Sequence, residues 1–229
     1  MNNRNIFIAV LVFIVIGVIA APILYIGYLG FIPGLSDLMG TNKPHDLGVR
    51  YDVTDQKSAE QKFITIANYM NDGVPKTAEP VKMTESEISS AVAAWDWKDK
   101  PFSNVQVKIE KEGVIAVSGA VLTEKLSSLA SGISGNDPAA AQILEQIKTF
   151  GKTVPFLAKT SLLLENGKPK IKIVSLEIGR LQIPSSIINQ VNQNLDSATI
   201  AGAPTDAGLE NIENILYENG TITLVFKKK

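Results

Sequence analysis

Apolar residues in this chain come first as one unbroken run and only later as periodic patterns. Residues 6–29 are almost wholly Ile, Val, Leu, Phe, Ala and Gly, and residues 5–36 carry no charged side chain. Coiled as a helix, this run is about 36 Å long, enough to cross the roughly 30 Å hydrocarbon core of a bilayer. A single isolated span must satisfy its own backbone polar groups, which makes helix the expected form. Tyr25 and Tyr28 stand near its end, where amphipathic rings favour the interface, and the Gly30–Gly34 stretch with Pro33 closes it. Val18-Ile19-Ala20 resembles a signal-peptide cleavage site. The apolar run is longer than the roughly 7–15 residues of a cleavable signal, so a retained anchor is the reading adopted.

Beyond it the pattern becomes periodic. Thr84 and Glu87 have the spacing of a capping box, Met83 and Ile88 that of a hydrophobic staple, and Ile88, Val92 and Trp95 then share one face: a helix. Phe63, Ile66 and Met70 predict another over 57–70. Asp137-Pro138, the stripe Ile143, Ile147, Phe150 and the terminal Gly151 predict a third. Further helices are expected over 122–129, 185–195 and 209–216.

Strands come in pairs. Val105, Val107 and Ile109 alternate with polar residues, turn at Glu112-Gly113 and return over 114–118. Residues 160–164 and 171–178 form a second hairpin through Asn166-Gly167. In its return strand, Ile171 and Ile173 have one parity and Val174, Leu176 and Ile178 the other, so a bulge near Ile173 is expected to bring both sets to one core. A last strand, 221–226, follows Asn219-Gly220. Hairpins favour antiparallel pairing, so the expected class is α+β: one N-terminal transmembrane helix, then a curved antiparallel sheet packed with amphipathic helices.

Charge refines this picture. Of 22 basic and 23 acidic residues only Arg4 precedes Asp37, and Lys43 is the sole cation between Leu29 and Val49. The positive-inside bias therefore favours a cytoplasmic N-terminus, with the rest of the chain outside the cytoplasm of a single-pass membrane protein. The expected division is a cytoplasmic stub and anchor over 1–30, a tether over 31–53 and an extracytoplasmic domain over 54–229. Ser/Gly-rich 127–137 and small-residue-rich 198–208 read as loops.

Candidate chemistry is sparse. Balanced charge disfavours nucleic acid as a partner, since phosphate neutralisation needs excess Lys and Arg. There is no cysteine, and His45, the only histidine, falls in the tether, where a solvated role is expected. No phosphate loop is present. Glu85 with Glu87 and Asp96 with Asp99 read as helix-start charge and a solvated loop. No catalytic residue, metal site or cofactor is assigned, and an enzyme is not expected. Asn219-Gly220-Thr221 fits the N-glycosylation pattern but is better read as a tight turn. The terminal lysines could touch headgroups; a solvated tail is preferred.

From Leu163 to Val191 the order is strand, Glu165-Asn166-Gly167-Lys168 turn, a long strand ending in Ile178-Gly179-Arg180-Leu181-Gln182-Ile183-Pro184, then an amphipathic helix. With the anchor and the flanking elements, residues 85–226 resemble the YpmS-like family of membrane-anchored extracytoplasmic envelope proteins, itself distantly similar to tubular lipid-binding domains. The resemblance implies a curved antiparallel sheet wrapped about a helix with an apolar groove, and it carries over no catalytic residue.

The functional expectation is a membrane-anchored binding protein that holds a lipid or other apolar molecule between sheet and helix. Trp95, Val107, Ile109, Ile173, Leu176, Ile178, Ile188 and Leu224 are the candidate groove residues; an ordinary closed core would explain most of them equally well. The alternative is an anchored module that scaffolds an envelope protein partner through a sheet edge or helix face.

Overall fold

The computed structural model of the chain describes residues 24–25, 28–29, 33–94, 102–123, 153–165, 168–197 and 211–228. Among these, no helix is long and apolar enough to cross a membrane; the expected span lies almost wholly outside them. So do Trp95, Trp97, the Asp96/Asp99 pair, the Asn166-Gly167 turn, the helix expected over 138–150 and both small-residue loops.

The elements are α1 (Pro33–Met39), α2 (Val53–Asn71), β1 (Val81–Thr84), α3 (Glu85–Ala94), β2 (Phe102–Ile109), a 3-10 turn (Lys111–Gly113), β3 (Val114–Leu122), β4 (Thr153–Glu165), β5 (Lys168–Ile178), β6 (Leu181–Gln182), α4 (Ser185–Ser197), β7 (Ile212–Glu218) and β8 (Thr221–Phe226). Two sheets result, a three-stranded β1-β8-β7 and a five-stranded β2-β3-β4-β5-β6. Every strand pairing is antiparallel, which gives the α+β class.

The capping box at Thr84 is present in both directions: Thr84 Oγ1 accepts the Glu87 N–H at 3.2 Å and Glu87 Oε2 accepts the Thr84 N–H at 2.8 Å. Lys159 pairs with Ser175 and Thr160 with Ile173, which leaves Val174 as the extra residue of a bulge. Ile171, Ile173, Leu176 and Ile178 thereby share one sheet face, whereas Val174, expected to face the core with them, is the bulged residue and stands exposed.

Of the helix expected over 209–216, residues 212–216 are instead strand. Strand β7 starts at Ile212, and Ile212 pairs with Phe226 while Asn214 pairs with Val225, so Glu213 is bulged out. That bulge puts Ile212 and Ile215, three apart, on one buried face, and their spacing mimics a helical stripe. Leu122, placed in a helix by the sequence, is the last residue of β3. The β7–β8 turn has φ of 46° at Asn219 and 72° at Gly220, the left-handed pair of a two-residue hairpin. A Cβ on Gly220 would also meet the Glu85 carboxyl carbon at 3.1 Å.

The main core lies where the two sheets and α2 meet. Ala59, Ile66, Val81, Met83, Ile109, Ile212, Ile215, Ile222 and Phe226 form it, with Ile88, Ile115, Leu162 and Leu224 packed around them. Tyr69 meets the Phe226 ring edge-on at 5.2 Å. Tyr217 donates its hydroxyl to the Leu162 carbonyl, which ties the small sheet to β4, and burial pushes its phenol up to about 12.

The described part of the segment read as a tether is laid on the five-stranded sheet. Arg180 donates its backbone N–H to the Leu29 carbonyl and its guanidinium to the Lys43 carbonyl, each at 3.2 Å. Farther along, the Leu47 N–H donates to Gln106 Oε1 at 2.8 Å, and the Lys108 ammonium reaches the Leu47 carbonyl at 3.1 Å. Val49 is buried. This strap runs from the β5–β6 turn to β2 on the face opposite the apolar one.

Candidate functional site

Helix α2 owes its start to Asp52. Its carboxylate accepts the Thr54 and Asp55 N–H groups at 2.7 and 3.1 Å, while Asp55 accepts the Asp52 N–H at 2.9 Å. These backbone donors at the helix start hold the Asp52 carboxyl below its usual range. From there the helix carries two apolar stripes. One turns inward with Ala59, Ile66 and Tyr69. The other, Phe63, Ile64, Ala67 and Met70, looks across to Ala91 and Ala94 of α3.

Between the two helices runs a groove of about 740 Å³, floored by Ile66 and bordered by Gln56 and Glu60 at the N-terminal end of α2. Phe63 and Ile64 remain 40% and 56% exposed. Large apolar side chains left open along one groove, with few polar groups at one end, have the make-up of a site for an apolar ligand.

A buried carboxylate fixes the angle between the groove's walls. Glu87 Oε1, on α3, accepts from the Ser58 hydroxyl and the Lys62 ammonium of α2, both at 2.5 Å. Burial by itself would raise the Glu87 carboxyl; the Lys62, Ser58 and Thr84 donors together outweigh it and bring the group below its ordinary value. Glu87 stands in the first turn of α3, as its reading as helix-start charge expects, and it is also buried, where it acts as a clamp between α2 and α3. Glu85 is likewise engaged, its Oε1 accepting the Ile109 N–H at 2.7 Å.

The residues singled out from sequence sit elsewhere. Val107 and Ile109 are buried, Ile109 in the main core and Val107 with both backbone polar groups bonded to Ser89. Ile173, Leu176 and Ile178 are partly buried on the apolar face of the five-stranded sheet. Ile188 is buried on α4, which packs on β5. Leu224 packs against the main core from β8. None of these seven lines the α2–α3 groove, and Trp95 lies outside the described residues. The open stripe could have been read from α2 itself, because Ala59, Ile66 and Tyr69 already supply an inward face and Phe63, Ile64 and Ala67 are then surplus.

Comparison with protein-family models, with characterised proteins and with solved structures finds no match. The groove is therefore interpreted from its own residues.

A second, polar cleft of about 480 Å³ lies along the strap, lined by Pro44, His45, Asp46, Val49, Arg50, Tyr51, Asn104 and Gln106. Arg50 grips Asp46 through both guanidinium ends at 2.8 and 2.6 Å. That contact, with the Gly48 N–H, holds the Asp46 carboxyl far below its usual range. His45 is partly buried and held by side-chain partners, where the sequence suggested a solvated residue. Its Nε2 lies 2.6 Å from Glu177 Oε1 and also faces Arg180 Nη1, while Gln182 donates to Glu177 Oε2 at 2.7 Å. With Nε2 protonated the ring donates to the carboxylate; as the other neutral tautomer it accepts from the guanidinium. Either way the nitrogen is used in holding the strap. Among the described residues no three His, Asp or Glu side chains are grouped to hold a metal ion.

Proposed function

We propose that this chain is a membrane-anchored, extracytoplasmic binding protein that holds a lipid acyl chain or similar apolar molecule in the groove between α2 and α3. The observation that carries the reading is the open stripe of Phe63, Ile64, Ala67 and Met70 facing Ala91 and Ala94. The volume is within the range of small-molecule sites, and the Glu87–Lys62–Ser58 clamp preorganises its walls. The long uncharged N-terminal run supports a membrane location. The resemblance to YpmS-like proteins agrees with a lipid ligand but places it between sheet and helix; the groove used here lies between two helices.

One observation favours a second reading. Gln56, Glu60, Phe63, Ala67 and Met70 follow alternating steps of four and three along α2, the spacing of a seam for another helix. An anchored scaffold would then bind a partner's amphipathic helix in the same groove.

Photocrosslinking separates the two. A phospholipid with a photoreactive group deep in its acyl chain, presented in vesicles holding the full chain, should label peptides from residues 56–70. Labelling confined to the N-terminal apolar run, with crosslinking of 56–70 to a protein, would replace the lipid reading with the scaffold.

A further inference from the structure

Arg180 binds the chain at two points fourteen residues apart, Leu29 through its backbone N–H and Lys43 through its guanidinium. Two points of the chain thus meet at one residue, and residues 33–43 are the described part between them. This part is knit internally: the Thr41 N–H donates to the Ser36 carbonyl at 2.9 Å, Asn42 donates to Asp37, and Ser36 and Thr41 are buried. Yet at its apex α1 turns Leu38 outward at 85% exposure, with Met39 beside it at 40%. A loop so well packed does not need to leave these two side chains in water. Leu29, at the other end of the Arg180 clamp, is the last residue of the apolar run, and Tyr25 and Tyr28 just before it are exposed.

We propose that this loop is a foot: Leu38 and Met39 enter the interfacial layer of the same bilayer that the N-terminal run crosses, and Arg180 holds the foot beside the point where the chain emerges. The occupant of this surface is a lipid membrane, set by continuity. A chain leaving the bilayer at Leu29 and clamped again at Lys43 keeps its apex within a short distance of the lipid surface, where short apolar contacts are favourable. Lys43, the loop's one cation, is exposed and suits anionic headgroups. The domain is thereby seated on the membrane in one pose, with the strap across the sheet as its brace. This inference rests on the membrane-anchor reading.

The chain has no cysteine, so single labels are unambiguous. Val12→Cys in the apolar run, Leu38→Cys at the apex and Val174→Cys at the exposed bulge would each carry a polarity-sensitive fluorophore in the full chain, reconstituted in nanodiscs of phosphatidylcholine and phosphatidylglycerol with or without spin-labelled lipid. The label at position 38 should be blue-shifted and quenched most by spin labels near the headgroups. That at position 12 should be quenched most by deep ones, and that at 174 by neither. In an Arg180→Ala background, which removes the guanidinium bond to Lys43 and keeps the backbone bond to Leu29, quenching at position 38 should fall. If position 38 behaves like 174 while 12 is quenched, the foot is overturned and the anchor stands. If position 12 is also unquenched, the anchor reading falls and the foot with it. Unchanged quenching in Arg180→Ala would overturn the role of the clamp.

Discussion

Asn192 gives Ile173 the two hydrogen bonds that a neighbouring strand would give: its Oδ1 accepts the Ile173 N–H at 2.8 Å and its Nδ2 donates to the Ile173 carbonyl at 2.9 Å. Ser89 does the same at the other side of the sheet, its hydroxyl meeting the Val107 N–H at 2.8 Å and carbonyl at 3.3 Å. On each side of the five-stranded sheet the outward backbone groups of one residue are thus met by a helix side chain, Ile173 of β5 by α4 and Val107 of β2 by α3. An unpaired edge is a template for association, and these contacts occupy it at Ile173 and Val107.

Replacing Asn192 by Ala should cost about 1–2 kcal/mol, the value of two modest hydrogen bonds. It should also promote self-association through β5. Ser89→Ala should cost about 1–3 kcal/mol because it strands polar groups of the buried Val107. Urea unfolding and light scattering would measure both effects; unchanged midpoints and a wholly monomeric Asn192→Ala chain would contradict this account of the edges.

Glu87 predicts the acid limb of stability. Its carboxyl lies below its ordinary value in the folded state, so its contribution is complete above the unfolded value and is lost as the pH falls through the folded one. Wild type should therefore lose stability more steeply than Glu87→Gln on titration below about pH 4.5. At neutral pH, Glu87→Ala should cost about 2–3 kcal/mol by leaving Lys62 and the Thr84 N–H unpaired. Urea midpoints between neutral and acid pH check both statements, and parallel acid limbs for wild type and Glu87→Gln would refute the first.

Glu177 tests the strap. Its carboxylate meets His45, Arg180 and Gln182. Glu177→Ala should raise hydrogen exchange across residues 41–50 by at least about tenfold, since a charge-assisted contact is worth about 1.5–3 kcal/mol. The Leu47 amide, bonded to Gln106, is the most informative probe. Core amides in β3 and β8 should keep their protection; uniform acceleration everywhere would mean that the carboxylate supports the whole fold and not the strap.

How much of this was legible beforehand depends on where the causes lie. The capping box at Thr84, the bulge beside Ile173 and the Asn219-Gly220 turn were readable because each is decided by neighbours in sequence. Strand β7 was not, because a bulge at Glu213 gives Ile212 and Ile215 a helical interval. The four-residue β1 escaped because its alternation is too short to distinguish from a helix entry. The docking of the strap depends on Glu177, Arg180 and Gln106, more than fifty residues away from the segment they hold, and no local pattern announces it. The α2–α3 groove was not anticipated, because Phe63, Ile66 and Met70 were read only as the stripe that marks a helix, and an exposed second stripe becomes visible only once the inward face is known.

Phe63→Glu and Ile64→Lys should leave folding almost unchanged, within about 0.5 kcal/mol, because both side chains are exposed. Their thermal midpoints should therefore match wild type even as the groove loses its apolar character. A large drop would show that the stripe is structural.

That pair of substitutions makes the most direct test of the central claim. Wild type and the Phe63→Glu/Ile64→Lys double variant, both full chain and purified identically from membranes, would be compared by native mass spectrometry for bound lipid. Lipid held by the N-terminal run is common to both and cancels. The account predicts one additional lipid molecule per chain, of a recurrent class, on wild type alone; identical lipid content in the two proteins would contradict it.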